Sequence, residues 1–365
     1  MGFLNKMALS LFVLVLTTMF VASASAMDGN ALNGMNKAVY TETNNAMHNE
    51  IIRFEMLADG SLKMSGSFST HGKGTGTSLG NAGGVILTDD GKYLLAVDAG
   101  SNEISVFEVK SDGLKLTDKV NSGGTMPISL TANDNIVYVL NAGGKGNIAG
   151  FYLNNGKLSM IPKSVKSLSS NSAGPAEIAF NPDGKVLVVT EKNTNVIDTY
   201  TVDKHGMAKG PMVHNSNGMT PFGFTFTEKG YLIVTEAPGS ALSSYWVGKD
   251  GSLKLISGSV PDSRAAACWV AVTKDGKFAF ANNAHDGTIS NYAISKKGVL
   301  SLIKPLAATS GKGNTDMALS ENSKFLYSLN TADGTIAVFK VKSDGSLTPV
   351  AKVSVPMGAD GLATL

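Results

Sequence analysis

PAEIAFNPDGKVLVVTEKNTNVIDTYTVDKHG, residues 175–206, decides the fold. An apolar run (175–180) meets an Asn-Pro-Asp-Gly turn, then a second apolar run (185–190). A third, alternating run ends in Tyr200, and a Gly turn follows at 206. Short runs of β-branched and aromatic residues between such punctuation read as strands, not helices. The Asp-Gly and Asn-Pro steps are turn chemistry.

The same cadence recurs along the chain. Aromatics close an alternating strand at Phe54, Phe107, Phe151, Tyr200, Tyr245, Tyr292 and Phe339. A Gly turn follows five or six residues later, at Gly60, Gly113, Gly156, Gly206, Gly251, Gly298 and Gly345. A polar turn and apolar strand precede these pairs, as in DDGKYLLAVD (89–98), TKDGKFAFANN (273–283) and SENSKFLYSLN (320–330). A further apolar strand comes before six of them. The seventh such strand is GLATL (361–365), at the end of the chain. Each unit of about 48 residues thus supplies four short strands, A to D, as propeller blades do. A lone sheet of this kind leaves a face unburied, and packing around an axis covers it. The reading is all-β: a seven-bladed propeller whose last strand completes the first blade. The repeated aromatics are expected to pack blade against blade.

Composition agrees. The chain has 365 residues, 41 Gly, one Cys and a formal charge of +2. One cysteine forms no internal disulfide. An apolar fraction of 43% excludes a disordered chain. Dispersed lysines and the small net charge give no footprint for nucleic acid. Lys6, the uncharged run 8–21 and Ala24-Ser25-Ala26 read as a signal peptide, residues 1–26, followed by one propeller domain, 27–365. The expectation is an exported protein, periplasmic or extracellular, monomeric, with no stable membrane insertion once the signal is removed.

Topology sorts the loops. A–B and C–D turns share one rim; B–C and D–A loops share the other, around the mouth of the channel. Function is expected on the second rim, where loops ride a rigid scaffold. The B-strand ends there are Thr43, Asp98, Asn141, Glu191, Glu236, Asn283 and Asn330, with His285 and Asp286 close by. Glu177, Arg264 and Asp316 come from the D–A side. Two carboxylates near one axis can divide acid and base roles where burial separates their pKa values. Glu236 and Glu191 are the catalytic candidates. Arg264, Glu177, His285, Asn283, Asn141 and Asp98 are the ligand-binding candidates. Arg53 and Arg264 are the only arginines, which makes Arg264 the leading anion anchor. The five histidines have no metal-ligand spacing, and carboxylates scattered around a channel can hold Ca²⁺ but nothing in the sequence demands it, so no metal and no cofactor are expected. HGKGTGTSLGNAGG (71–84) lacks the Gly-Lys-Ser/Thr ending of a phosphate loop and reads as a flexible D–A loop. Cys268, between Ala267 and Trp269, reads as a core residue.

Several motifs resemble the seven-bladed lactonase family, which includes propeller-type 6-phosphogluconolactonases and carboxymuconate-lactonising enzymes. They are LNAGGKGNIAGF (140–151), NPDGKVLVVTE (181–191), ANNAHDGTI (281–289) and the blade from TPFGFTF through VTEA (220–237). The resemblance implies a lactone hydrolase. The family's blade-5 Glu falls on Glu236. Its blade-4 His falls in Pro175-Ala176-Glu177, its blade-5 Arg on Phe222 and its blade-6 Arg on Asn283. His285 matches a position that is not catalytic in the family. Losing those cations removes the anchors for an anionic lactone. Two functions stay open: a lactone hydrolase with altered substrate, or a non-catalytic propeller that binds a small molecule or a protein at the channel mouth.

Overall fold

A computed structural model describes Lys37–Leu365. The expected signal peptide, 1–26, and residues 27–36 lie outside the described residues. Blade 1 contains β1 (Ala38–Glu42), β2 (Glu50–Met56) and β3 (Leu62–Ser69). Blade 2 contains β4 (Val85–Leu87), β5 (Tyr93–Asp98), β6 (Glu103–Lys110) and β7 (Gly113–Asn121). Blade 3 contains β8 (Pro127–Asn133), β9 (Ile136–Asn141), β10 (Asn147–Asn154), β11 (Lys157–Met160) and β12 (Lys166–Ser167). Blade 4 contains β13 (Pro175–Phe180), β14 (Val186–Glu191), β15 (Val196–Val202) and β16 (Ala208–Asn215). Blade 5 contains β17 (Pro221–Phe226), β18 (Tyr231–Glu236), β19 (Ala241–Val247) and β20 (Leu253–Pro261). Blade 6 contains β21 (Ala267–Val272), β22 (Phe278–Asn283), β23 (Thr288–Ile294) and β24 (Leu300–Thr309). Blade 7 contains β25 (Asn314–Leu319), β26 (Phe325–Asn330), β27 (Thr335–Val341) and β28 (Leu347–Ser354), and β29 (Asp360–Thr364) ends the chain.

The first sheet runs β29-β1-β2-β3, so the last strand is the innermost strand of blade 1, as the repeat count requires. This pairing removes an open edge on β1. The seven recurrent aromatics are all buried and sit in clusters that join neighbouring blades. Phe107 of blade 2, for example, packs with Ala38 and Tyr40 of blade 1.

Blade 3 departs from four continuous strands. Its strand D is broken into β11 and β12, both paired with β10. Pro162 lies in the gap, and proline has no N–H for a ladder. The Ser164 hydroxyl fills the place, accepting from Gly150 N and donating to Gly150 O, both at 3.0 Å.

A bulge recurs in the A–B pairing. The register shifts between the first and third residues of β8, β13, β21 and β25, early in β17, and between β1 and β29. Bulges re-aim side chains. Here they place Glu177, Trp269 and Asp316, each third in its strand, on the channel wall.

Ring closure through β29 predicts a measurable cost. Deleting residues 360–365 should destabilise by more than the ~2–5 kcal/mol of a single buried truncation such as Leu362→Ala. Urea unfolding and light scattering check this. An unchanged midpoint in a soluble monomer would mean that the ring does not depend on its last strand.

Candidate active site

The second rim is closed over the axis. The crossover from β3 to β4 was expected to be flexible. Instead its second half runs across the top of the ring. Leu79 packs among side chains of blades 2 to 4, and Ala82 packs with Ala176, Phe222, Trp269 and Met317. Ala82 N donates to Ala176 O at 3.2 Å, and Trp269 Nε1 to Asn81 O at 2.7 Å. Asn81 Nδ2 donates to Ile128 O and, at 3.0 Å, to Asp360 Oδ2. Hydrogen bonds thereby tie residues 81 and 82 to blades 1, 3, 4 and 6, and the Ala82 side chain also packs on blades 5 and 7. Asn44 pins the approach: it accepts from Thr75 N at 2.8 Å and donates to Thr77 O at 2.8 Å.

Beneath this plug lies a cavity of about 440 Å³ on the axis. Its walls come from the innermost strands, mostly from their middles to their A–B ends. It therefore faces the A–B rim, opposite to the mouth expected from the loops. Two acids line it, Glu177 and Asp316; the rest of the wall is mostly apolar, with Trp269 prominent. No Lys, Arg or His belongs to the lining. Glu177 Oε2 accepts from Phe224 N at 2.6 Å. Asp316 Oδ1 accepts from Met317 N at 2.7 Å. Burial holds both carboxyls well above the usual carboxylate range. Asp316 raises Glu177 further, and Asp360 raises Asp316. Acids pushed upward in a concave site are candidates for proton transfer.

The B-strand ends have a different place. The member from blade 1 is Glu42, the last residue of β1, not Thr43, whose backbone N–H pairs one step beyond the strand. Glu42, Asp98, Asn141, Glu191, Glu236, Asn283 and Asn330 are all buried between blades. Six of them hold the crossover arriving from the previous blade. Asp98 accepts from Thr70 Oγ1 at 2.6 Å and Ser105 Oγ at 2.5 Å. Asn141 Nδ2 donates to Ser122 O at 3.2 Å. Glu191 accepts from Ser169 N at 2.9 Å and from the Ser169 and Thr194 hydroxyls. Glu236 accepts from Gly218 N at 2.8 Å and from the Ser243 and Ser259 hydroxyls at 2.5 Å. Asn283 Nδ2 donates to Ser290 Oγ at 2.8 Å, which donates to Asp262 Oδ2 at 2.7 Å. Asn330 Oδ1 accepts from Ser310 Oγ at 2.7 Å. These polar groups staple blade to blade. Beside Glu191, burial and the Glu191 carboxylate push the Asp198 carboxyl up.

Of the residues expected at one site, Glu177 and Asp316, both from the D–A side, line the axial cavity. Glu236, Glu191, Asp98, Asn141 and Asn283 are staples. Arg264 Nη2 pairs with Asp286 Oδ2 at 2.8 Å, and its Nε donates to Thr288 Oγ1 at 3.3 Å. His285 is exposed beside that pair. Cys268 is buried, as a core residue should be.

One cation near the plug went unread in the sequence. Lys192 directly follows Glu191, and its Nζ sits 4.8 Å from the Phe222 ring centroid. It donates to Gly80 O. Burial pushes the amine down to about 8. Its position after a B-strand end was its only sequence signal. Among the described residues, no three His, Cys, Asp or Glu side chains form a metal-ligating group, and no helix is long and apolar enough to cross a membrane.

Seven four-stranded blades closed by the final strand define a β-propeller of the lactonase type. The description "Lactonase, 7-bladed beta-propeller" matches residues 36–170, 149–265 and 235–361, and the chain belongs to that family. Among solved structures it is similar to a protein from Lactobacillus plantarum, with 17% identity and a TM-score of 0.77 over 90% of this chain and 99% of that one. It is also similar to the periplasmic gluconolactonase PpgL of Pseudomonas aeruginosa, with 16% identity and a TM-score of 0.75 over 90% and 99%. A weaker likeness is to virginiamycin B lyase of Staphylococcus aureus, with 15% identity and a TM-score of 0.53 over 75% and 85%. At these identities the likeness is one of fold. No match was found among curated proteins.

Two outcomes follow from the burial of these groups. Glu236→Ala strands three donors, at ~1–3 kcal/mol for an unsatisfied buried group, so urea unfolding should show a loss well above that of Glu236→Gln. Equal stability of the alanine variant and the parent would remove the staple role. Burial also raises Asp360 to about 6, above its unfolded value of ~3.9. The stability linked to its proton is therefore full below about pH 4 and lost as pH rises through about 6. In chelated buffer, the advantage of Asp360→Asn over the parent should grow across that window, by on the order of 2–3 kcal/mol.

Proposed function

We propose that the protein binds a small uncharged molecule of the lactone class in the axial cavity and opens it by hydrolysis. One observation carries this reading: Glu177 and Asp316 share a 440 Å³ cavity whose lining holds no cation. An anionic substrate such as a phosphorylated lactone finds no partner there. Like charges on one wall oppose joint ionisation, so one carboxyl keeps the proton that the other lacks. We assign the base role to Glu177: once ionised, it takes a proton from water as the water oxygen attacks the ring carbonyl. The ring C–O bond breaks, and Asp316 gives its proton to the departing oxygen. The product is the open hydroxy acid. Glu236 and Glu191 hold the scaffold in this mechanism.

The apolar run at 8–21 with its Ala-Ser-Ala end supports export, as does the periplasmic assignment of the Pseudomonas relative. A second reading, binding without turnover, is favoured by the Arg264–Asp286 pair, which leaves no free arginine at the rim.

Neutral lactones and their phosphorylated counterparts, assayed by pH-stat, separate these readings. Hydrolysis of neutral substrates should fall by about 10²-fold or more in Glu177→Gln. The rate should rise with pH as Glu177 loses its proton, with a midpoint above the ~4.3 of an ordinary Glu. Thermal stabilisation by a lactone without turnover would favour binding alone. Preference for the phosphorylated substrate would defeat the charge argument.

A further inference from the structure

The staples fail at one blade. In blades 2 to 7 the B-strand end reaches the incoming crossover or its hydroxyl partner. In blade 1, where the ring closes, Glu42 faces Asp360 directly across the β1–β29 pair. Like charges directly opposite each other destabilise a sheet. Glu42 is 1% exposed and Asp360 5%. Glu42 Oε2 accepts from Asn49 Nδ2 at 2.7 Å, but Oε1 is buried without a partner. The charges acting on Glu42 are those of Asp360 and Asp98, both acids. None of the ion pairs among the described residues includes any of the three.

Gly84 shows how the oxygens converge. The point where a side chain would begin on it lies 2.7 Å from Asp360 Oδ2, 3.5 Å from Glu42 Oε1 and 3.1 Å from Asn81 Nδ2. The Asn81 Oδ1 atom is also buried and unpartnered. The O and N ends of a side-chain amide have nearly the same shape, so the Asn81 amide can turn over within its space. Turning this amide over sets its oxygen beside Asp360 Oδ2 and Ile128 O, which its nitrogen now contacts. Two carboxylates, an amide oxygen and a backbone carbonyl would then face one another. That is an oxygen set for a hard cation.

We propose that Glu42, Asp360, Asn81 and the Ile128 carbonyl hold one divalent cation of the Ca²⁺ class beside Gly84, locking the last strand into the first blade. The site ties β29 to β1, to the plug and to β8, so the ion would join blades 1 and 3 through the crossover. It is tested without a lactone, and because the Asp360 charge raises Asp316, an ion here would draw the Asp316 carboxyl back down.

The experiment is Tb³⁺ titration of the EDTA-treated protein with indole excitation, since the Trp269 indole bonds to Asn81. One equivalent should give sensitised emission, Ca²⁺ should displace it, and Ca²⁺ alone should raise the melting temperature. Glu42→Gln and Asp360→Asn should each weaken binding by about tenfold or more, whereas Asp250→Asn, in an exposed turn, should leave it unchanged. Both test variants relieve a like-charge pair, and circular dichroism without metal checks that they fold. Should either fail to fold, stoichiometry and melting shift in the parent decide. No saturable emission, no Ca²⁺ shift, or unchanged affinity in folded Glu42→Gln would overturn the proposal.

Discussion

Everything in this molecule depends on burying both faces of seven small sheets at once. A four-stranded sheet alone leaves an apolar face in water, and the hydrophobic gain comes only from neighbours. The recurrent aromatics supply that contact, and they are buried in every blade. A ring satisfies the requirement only if it closes, so the pairing of β29 with β1 supports all the other interfaces.

Closure also creates the polar problem that shapes the interior. Each D–A crossover dips between blades and carries backbone groups that need partners. Asp, Glu and Asn at the B-strand ends meet them with short bonds to Ser, Thr and main-chain N–H groups. A buried carboxylate is costly unless hydrogen-bonded, and here it is bonded two or three times. Residues that look like a ring of reactive acids are thus largely spent on assembly. The same geometry leaves Glu42 opposite Asp360, because the closing strand arrives from the far end of the chain.

The axial cavity is built by a different device. Bulges near the start of the A strands turn Glu177, Trp269 and Asp316 inward, and the 79–84 segment seals one end. With no cation in its lining, the cavity suits an uncharged ligand. Lys192 stays on the plug side, stacked on Phe222 and bonded to Gly80 O.

The amino-acid sequence by itself determined the blade number, the four-strand unit, the buried aromatics and the closing role of residues 361–365. These depend on local periodicity and turn chemistry, which repeat seven times and so correct their own noise. It also placed Glu177 among the site residues. Tertiary structure decided the rest. Whether Glu236 faces solvent or a neighbouring blade depends on where Gly218, Ser243 and Ser259 come to lie, and nothing in VTE (234–236) records that. A bulge shifts facing by one residue, below the resolution of an alternating pattern, and so hid that Glu177 and Asp316, but not Arg264, turn into one cavity, as it hid the register of Glu42. The direction of the channel was set by a glycine-rich crossover whose own sequence has no strong preference, and its path is fixed only by its partners in the surrounding blades.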